Sequence, residues 1–400
     1  MRILLVAQAV SIHTTHWIQQ INDQGWDIHL FDAKGSFPHP ELDNITEYSL
    51  LYPHKIPPRT GPARYGSPIF MKLGWDPFPL SILGFFTRRI FRPRYKQLAQ
   101  TIERLQPDII HSFELYSECY PLYRARQLLG GDLNVPWMVS LWGSDIYNNQ
   151  NDPQKVEIIR DIMTACDYLL PDCQRDARLA RKFGFVGQVP AIFPGPGSFA
   201  VDEMRALLPT AAPSSRRVIA LKGYQGWHGR ALHVLEALED CAQLLSDYQI
   251  VVYSPSPMVV KKVKQLQVQG KLNIDLLPRS PQKKIFELLG RSRIAIGVNV
   301  TDGTPNTMLE AMIMGAFPIQ SDTGATAEWI EQGKNGLMVE PENKIALISA
   351  IKEGLRNDDL VDSAARINAD IAYQRLDTKV LKPAIVEMYR QIAAAGKVKA

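Results

Sequence analysis

The stretch VNVTDGTPNTMLEAMIMGAFPIQSDTGATAEWI, residues 298 to 330, decides the fold class of this chain. It opens on the end of an apolar run, IAIGVN at 294 to 299, breaks at Asp302-Gly303, and restarts as a helical pattern at Thr304-Pro305. It then returns to a second apolar run, FPIQS at 317 to 321. Short apolar runs bounded by turn residues read as buried strands, and a helix between two of them makes the pair parallel. Thr304 is placed as an N-cap and Pro305 as the first helical residue, where a missing N–H does no harm.

The same alternation extends outward in both directions. Downstream, GLMVEP at 336 to 341 reads as a further strand, and upstream RVIALK (217 to 222), QIVVYS (249 to 254) and NIDLLP (273 to 278) do the same. The interruption LLPTAAPSSR at 207 to 216 reads as a linker, and before it the pattern has already run once. Strands are expected there at RILLVA (2 to 7), DIHLFD (27 to 32), DIIHSF (108 to 113), WMVSLW (137 to 142), YLLPD (168 to 172) and VPAIFP (189 to 194). Four hundred residues exceed one ordinary core. The expectation is two α/β domains, 1–206 and 207–378, each a doubly wound parallel sheet, with the amphipathic helix 379–395 able to cross back to the first. Ligands of such sheets sit at the carboxyl ends of the strands, so the cleft between the domains is the expected site.

Composition narrows the class. With 46% hydrophobic and 22% charged residues the chain is an ordinary globular protein, not a fibrous or disordered one. Cys119, Cys166, Cys173 and Cys241 lack CxxC or zinc-type spacing, which favours reduced buried thiols and a cytoplasmic setting. The apolar core of MRILLVAQAV is too short for a secretory signal, and no run approaches a membrane span. A net charge of +4 is mild.

The turn at 302 to 307 carries the chemistry. Backbone N–H groups of Gly303, Asn306 and Thr307, with the helix dipole, form an anion site suited to a phosphate. A carboxylate would repel that phosphate, so Asp302 and Glu310 are left to accept from hydroxyls. Glu310 lies about 7.5 Å along the helix from Pro305. A ligand with hydroxyls on both sides of a diphosphate, such as a nucleotide sugar, satisfies both acids and the helix end. The spacing alone serves equally well for two solvated charges flanking a helix.

The stretch DGTPNTMLEAMIMGAFPIQSDTGATAEWIEQGKNGLMVEP resembles the donor-site signature of family-4 retaining glycosyltransferases of the GT-B fold (glycosyl transferases group 1): an acid, seven residues, Glu-Ala-Met, Gly, an apolar strand, then a Gly-containing turn and Glu. MRILLVAQAVSIHTTHWIQQINDQGWDIHLFD is similar to the family's opening unit, and PDIIHSF and LWGSD to its later first-domain segments. The resemblance implies two Rossmann-like domains facing across a cleft, the first for the acceptor and the second for the nucleotide sugar. It implies that Glu310 holds the ribose hydroxyls, that Asp302 contacts hydroxyls of the transferred sugar, and that the backbone of Gly303, Thr304, Asn306 and Thr307 lies near the diphosphate. It implies retention of anomeric configuration with no protein nucleophile, the leaving phosphate helping to take the acceptor proton. Asp302 stands where many members have Glu, and Ala325 where a second Gly is common.

Other candidates complete the set. In VIALKGYQGWHGRALHVLEAL, Lys222 and Arg230 are the cations for the leaving diphosphate, in the order opposite to the family's, or else solvated loop charges. In WMVSLWGSDIY, Trp142 replaces the His of many relatives and offers a face for a sugar ring, with Ser144 beside it. Asp145 either contacts substrate or caps a turn. Ser11 and His13 follow the first strand and face the cleft, although an isolated His is as often a helix-start residue. No DxD triplet occurs, and His13 and His16 have no further ligands nearby, so no metal and no cofactor beyond the nucleotide-sugar substrate is expected.

Residues 78 to 97, FPLSILGFFTRRIFRPRYKQ, mix bulky apolar side chains with Arg88, Arg89, Arg92, Arg94 and Lys96. This suits an amphipathic helix on the anionic inner face of a membrane, or a helix packed on the first domain. No nucleic-acid module accompanies the basic residues. The expected function is transfer of a sugar from a nucleoside-diphosphate sugar to a glycan or lipid-linked acceptor hydroxyl in cell-surface polysaccharide or glycolipid synthesis. The alternatives are a nucleotide-sugar epimerase or phosphorylase on the same fold, or a non-enzymatic two-lobed sugar-binding protein.

Overall fold

The computed structural model describes residues 1–34, 38–48, 53–56, 94–131, 133–142 and 145–396. The chain divides into two compact units, Met1–Ser198 with Leu381–Ala400, and Phe199–Val380. The linker read at 207–216 thus falls inside the second unit.

Unit 1 is built on a seven-stranded sheet of β1 (Arg2–Ala7), β2 (Asp27–Asp32), β3 (Ile45–Tyr48), β4 (Pro53–Ile56), β5 (Ile109–Phe113), β6 (Trp137–Leu141) and β7 (Tyr168–Pro171). The order is β4-β3-β2-β1-β5-β6-β7. All pairs are parallel except β3 with β4, and Leu4 stands between His29 and Ile110. Both faces are covered, so the strands are apolar throughout rather than alternating. Leu4, Val6, Ile110, Trp137 and Val139 point to one layer, and Ile3, Leu5, Ile109 and Met138 to the other.

That second layer is closed by the end of the chain. Leu381, Ile385, Met388, Tyr389 and Ile392 of the helix Thr378–Ala395 pack there with Trp17. Trp17 Nε1 donates to the Tyr389 hydroxyl at 3.0 Å, and that hydroxyl lies 2.6 Å from His111 Nδ1. An indole N–H can only donate, so the tyrosine O–H donates to Nδ1, and His111 Nε2–H donates to Ser140 Oγ at 2.8 Å. Burial holds the imidazole neutral, well below its usual pKa, which this network requires.

Two departures from the sequence reading have local causes. The strand β3, ITEY, carries a buried Glu47 whose carboxyl is pushed up to about 8 by burial and by Asp32, and a glutamate masks a four-residue strand. The run 189 to 194 is not a strand, because Pro190 and Pro194 offer no N–H; the bridge there runs from Tyr168 to Gln188.

Unit 2 holds a six-stranded, wholly parallel sheet of β8 (Val218–Lys222), β9 (Gln249–Tyr253), β10 (Ile274–Leu277), β11 (Ile294–Gly297), β12 (Phe317–Ser321) and β13 (Leu337–Val339). The order is β10-β9-β8-β11-β12-β13, all six strands as the sequence predicts. The order reverses between β8 and β11, and the crevice at the carboxyl ends of those two strands is where doubly wound sheets take ligands. Unit 1 has the equivalent reversal between β1 and β5. No helix among the described residues is long and apolar enough to cross a membrane. Residues 78 to 93 of the basic segment lie outside the described residues. At its end Arg94 turns inward, its guanidinium 4.5 Å from the Phe31 ring centre and bonded to the Asp32 carbonyl, while Lys96 is exposed.

Candidate functional site

At the reversal in unit 2, β8 delivers Lys222 and β11 delivers the turn 298 to 305. The helix that follows spans Asn306–Ile313, one residue later than predicted. Pro305 takes the N-cap position in extended backbone, and Thr304 lies buried just outside the helix. Asn306 and Thr307 keep amides without a helical acceptor, since the first turn closes from Met308 N to Pro305 O at 3.0 Å. The Gly303 amide does not join them, because it donates to Asp302 Oδ1 at 2.9 Å. The other oxygen of Asp302 accepts from Asn299 Nδ2 at 3.2 Å. This carboxylate is therefore folded onto its own turn, a role the sequence reading did not foresee.

The turn 322 to 326 presses on the same loop. A Cβ at Gly324 would lie 2.6 Å from the Asp302 carbonyl oxygen, and the φ of +82° adds a second reason for glycine. Ala325 N donates to Gly303 O at 3.0 Å. One glycine suffices for the close approach, and Ala325 fits where relatives carry a second.

Thr307, Lys222 and Glu310 come together. Lys222 Nζ donates to Thr307 Oγ1 at 3.4 Å and stands 4.4 Å from the Tyr224 ring centre. Thr307 also bonds the buried Tyr253 hydroxyl, whose pKa is raised by burial and by Glu310. Glu310 is 8% exposed, and its Oε1 accepts from Gln282 Nε2 at 3.1 Å. Burial pushes its carboxyl up to about 7, against the opposing pull of Gln282 and Lys222. Arg230 is used differently from the sequence expectation. Its Nη1 donates to the Gly226 and Gly229 carbonyls at 3.0 and 3.1 Å, and its Nε to Glu342 at 2.9 Å, tying down the loop after β8.

Gln282, Tyr253 and Tyr224 were not read from the sequence. The signal for each is position: Tyr253 ends β9, Tyr224 follows β8, and Gln282 begins the helix Gln282–Arg291 after β10. All three follow strands on one side of the reversal.

In unit 1 the candidates gather around an aromatic group. Exposed His13 stands edge-on to Trp142 with centroids 6.0 Å apart, and Trp142 packs on Phe113 at 4.8 Å. The backbone at Gly195 runs alongside, where a Cβ would lie 3.7 Å from Trp142 Cδ1. Ser11 precedes the helix Ile12–Gln19 without a side-chain cap bond, and its carbonyl accepts from Thr15. Asp145 Oδ2 accepts the Trp142 amide at 3.2 Å, which is the turn-capping alternative. Burial and the nearby Glu114 hold its carboxyl well above the usual range. Gly143 and Ser144 lie outside the described residues.

Among the described residues, Asp172, Cys173 and Asp176 bring three possible metal-ligand atoms within 4.8 Å of one another. Arg175 Nε donates to Asp176 Oδ1 at 2.8 Å, and burial with Asp172 alongside pushes the Cys173 thiol up. One carboxylate of the group is thus already paired with a cation of the protein's own.

Two family models match the chain: glycosyl transferases group 1 over residues 220–357, and glycosyl transferase 4-like over residues 2–72. No curated protein sequence matches it. Among solved structures it is similar to sucrose-phosphate synthase from Thermosynechococcus elongatus, with TM-score 0.67 and 14% identity over 99% of this chain and 100% of that one. It is also similar to HepE from Anabaena in complex with UDP-glucose, with TM-score 0.67 and 13% identity over 98% and 100%. A third is the lipopolysaccharide outer core galactosyltransferase WaaB, with TM-score 0.61 and 15% identity over 97% and 100%. At such identities the likeness carries the fold.

Proposed function

The chain belongs to the glycosyl transferases group 1, glycosyltransferases of the GT-B fold, and from that premise we propose that it transfers a sugar from a nucleoside-diphosphate sugar to an acceptor hydroxyl. The observation that carries the donor reading is Glu310, a buried carboxylate beside Thr307 and Lys222 at the reversal of the unit 2 sheet. In this reading Glu310 accepts from the ribose hydroxyls, while the amides of Asn306 and Thr307 and the Lys222 ammonium take the diphosphate. Asp302, braced by Gly303 and Asn299, orients the 302 to 304 backbone toward the transferred sugar, and Arg230 fixes the loop that carries Lys222. Lys222 and the helix end supply the charge that stabilises the leaving diphosphate, so no metal is required.

The reaction retains the anomeric configuration and the product is a cell-surface polysaccharide or glycolipid; WaaB, a lipopolysaccharide galactosyltransferase of the same fold, supports that setting. His13, Trp142 and Ser11 form the acceptor side, with Asp145 holding the turn that carries Trp142. A thermal-shift screen of nucleotide sugars tests the donor. A ligand at 100 times its Kd stabilises by about 2.7 kcal/mol, and Glu310→Ala should erase the shift for the donor found. An undiminished shift removes Glu310 from the site, and an inverted anomeric proton in the NMR spectrum of the first product rules out retention.

The basic segment 78 to 97 holds the protein at an anionic membrane surface in this reading. Flotation with vesicles of anionic lipid should fall when Arg88, Arg89 and Arg92 are replaced by Glu, and equal flotation sinks the membrane contact.

A further inference from the structure

The loop after β8 runs from Lys222 to Arg230 and folds back on itself, with Ala231 N donating to Tyr224 O at 3.1 Å and Leu232 N to Gln225 Oε1 at 3.0 Å. A Cβ at Gly229 would fall 2.2 Å from the Tyr224 carbonyl oxygen, so the fold-back needs glycine. The returning limb then pairs with the segment that follows β11. Gly229 and Asn299 form an antiparallel bridge, Val300 N donates to His228 O at 2.8 Å, and Arg230 N donates to Val298 O at 2.9 Å. His228 is therefore fixed at the carboxyl ends of β8 and β11, the two strands of the sheet reversal, with its carbonyl bonded two residues before Asp302.

Its half-buried ring is held in place by its neighbours. Tyr224 meets it edge-on at 5.4 Å, and Trp227 packs on it at 4.6 Å. The Nδ1 atom is buried without a hydrogen-bond partner. A buried N–H with no acceptor is costly, so the proton of the neutral ring belongs on Nε2, and a second proton on Nδ1 is disfavoured. Burial and the Lys222 ammonium lower the pKa of the ring in the same sense, with Arg230 adding to them and Asp302 opposing. The result is a neutral imidazole that offers one N–H, at Nε2. Phosphate oxygens accept such a bond, whereas the acid at Asp302 calls for hydroxyls. An imidazole acted on by both Lys222 and Asp302 suits the part of a ligand that joins a phosphate to a sugar.

We propose that His228 belongs to the nucleotide-sugar site, its Nε2–H donating to the sugar-bearing phosphate of the nucleoside diphosphate. The aromatic side chains of Tyr224 and Trp227 act through it, by keeping the ring in one orientation. The proposal rests on the donor reading above, which places the diphosphate at Lys222 and the transferred sugar at the Asp302 turn.

The test uses the full-length protein and three variants. His228→Ala and His228→Asn remove the N–H from the Nε2 position, and His228→Gln restores an amide N–H at nearly the same reach. The diphosphates of uridine, cytidine, thymidine, guanosine and adenosine are titrated by calorimetry. The tightest binder is carried forward together with its monophosphate, which lacks the sugar-bearing phosphate. The Ala and Asn variants should bind the diphosphate about tenfold more weakly, and the Gln variant within about threefold of the wild type. The monophosphate should bind all four proteins alike to within about twofold. Circular dichroism checks folding, and the Asn variant carries the comparison should the Ala variant not fold. The proposal is overturned if loss of the N–H leaves diphosphate affinity intact, if the monophosphate is weakened as much as the diphosphate, or if Gln does not restore binding. Failure of the wild type to bind any nucleoside diphosphate refutes the donor reading instead.

Discussion

The two sheets reverse at equivalent places, between β1 and β5 in unit 1 and between β8 and β11 in unit 2, but the side chains gathered there differ in kind. Unit 2 presents an ammonium, a hydroxyl, helix amides and a buried carboxyl titrating about 7. Unit 1 presents His13, Trp142 and Phe113, with Asp145 held toward its protonated form and Glu118 pushed up to about 10 by burial beside Glu114. Topology supplies a crevice twice. The side chains at those two places differ in charge, an ammonium with a carboxyl in one and an aromatic group in the other.

The largest effect that would sharpen this contrast concerns Glu310. Its carboxyl is at about 7 in the folded protein against 4.5 ordinarily, so the folded state holds this proton more tightly. The cost of ionising it is absent below about pH 4.5, grows up to about pH 7 and is complete above, on the order of 3 kcal/mol. Glu310→Gln should stabilise the ligand-free protein toward urea at about pH 8, leave it nearly unchanged at about pH 4.5, and weaken nucleotide binding. No gain at pH 8 would mean that the carboxyl is not strained by burial.

A smaller difference separates the two crevices directly. Lys222→Ala should weaken nucleotide binding about ten- to a hundredfold, as expected for a hydrogen bond to a charged group, whereas Trp142→Ala should leave it within about twofold. Calorimetry with the donor settles it, and equal losses would dissolve the distinction. The smallest effect belongs to unit 1 alone. Tyr389→Phe strands the Trp17 N–H and His111 Nδ1, and should cost about 1–3 kcal/mol of stability without changing nucleotide affinity. Urea midpoints and the same calorimetry check both halves of that statement.

Legibility in the sequence followed the range of the interactions involved. Strands β8 to β13 were readable because each is an apolar run closed by turn residues, and Glu310 because helix periodicity fixes its distance from the turn at 305. Strand β3 was not, since a buried glutamate has no periodic signature. Gln282 was missed because it meets Glu310 from 28 residues away, and no spacing rule reaches across a sheet. The Gly303 amide was assigned to a ligand because the neighbouring Asp302 could as easily turn outward as fold back, and only the packed loop chooses.

Sequence alone determined what local physics controls: two doubly wound halves, a helix start after β11, and acids flanking it. It also carried the family resemblance, through the pattern at residues 302 to 341. Tertiary structure decided which charges are spent and which are offered. Arg230 closes its own loop while Lys222 meets Thr307, and the Glu310 carboxyl is held at about 7 rather than 4.5 because burial outweighs the opposing pull of Gln282 and Lys222. Burial is a property of everything packed around a residue, so no stretch of sequence contains it.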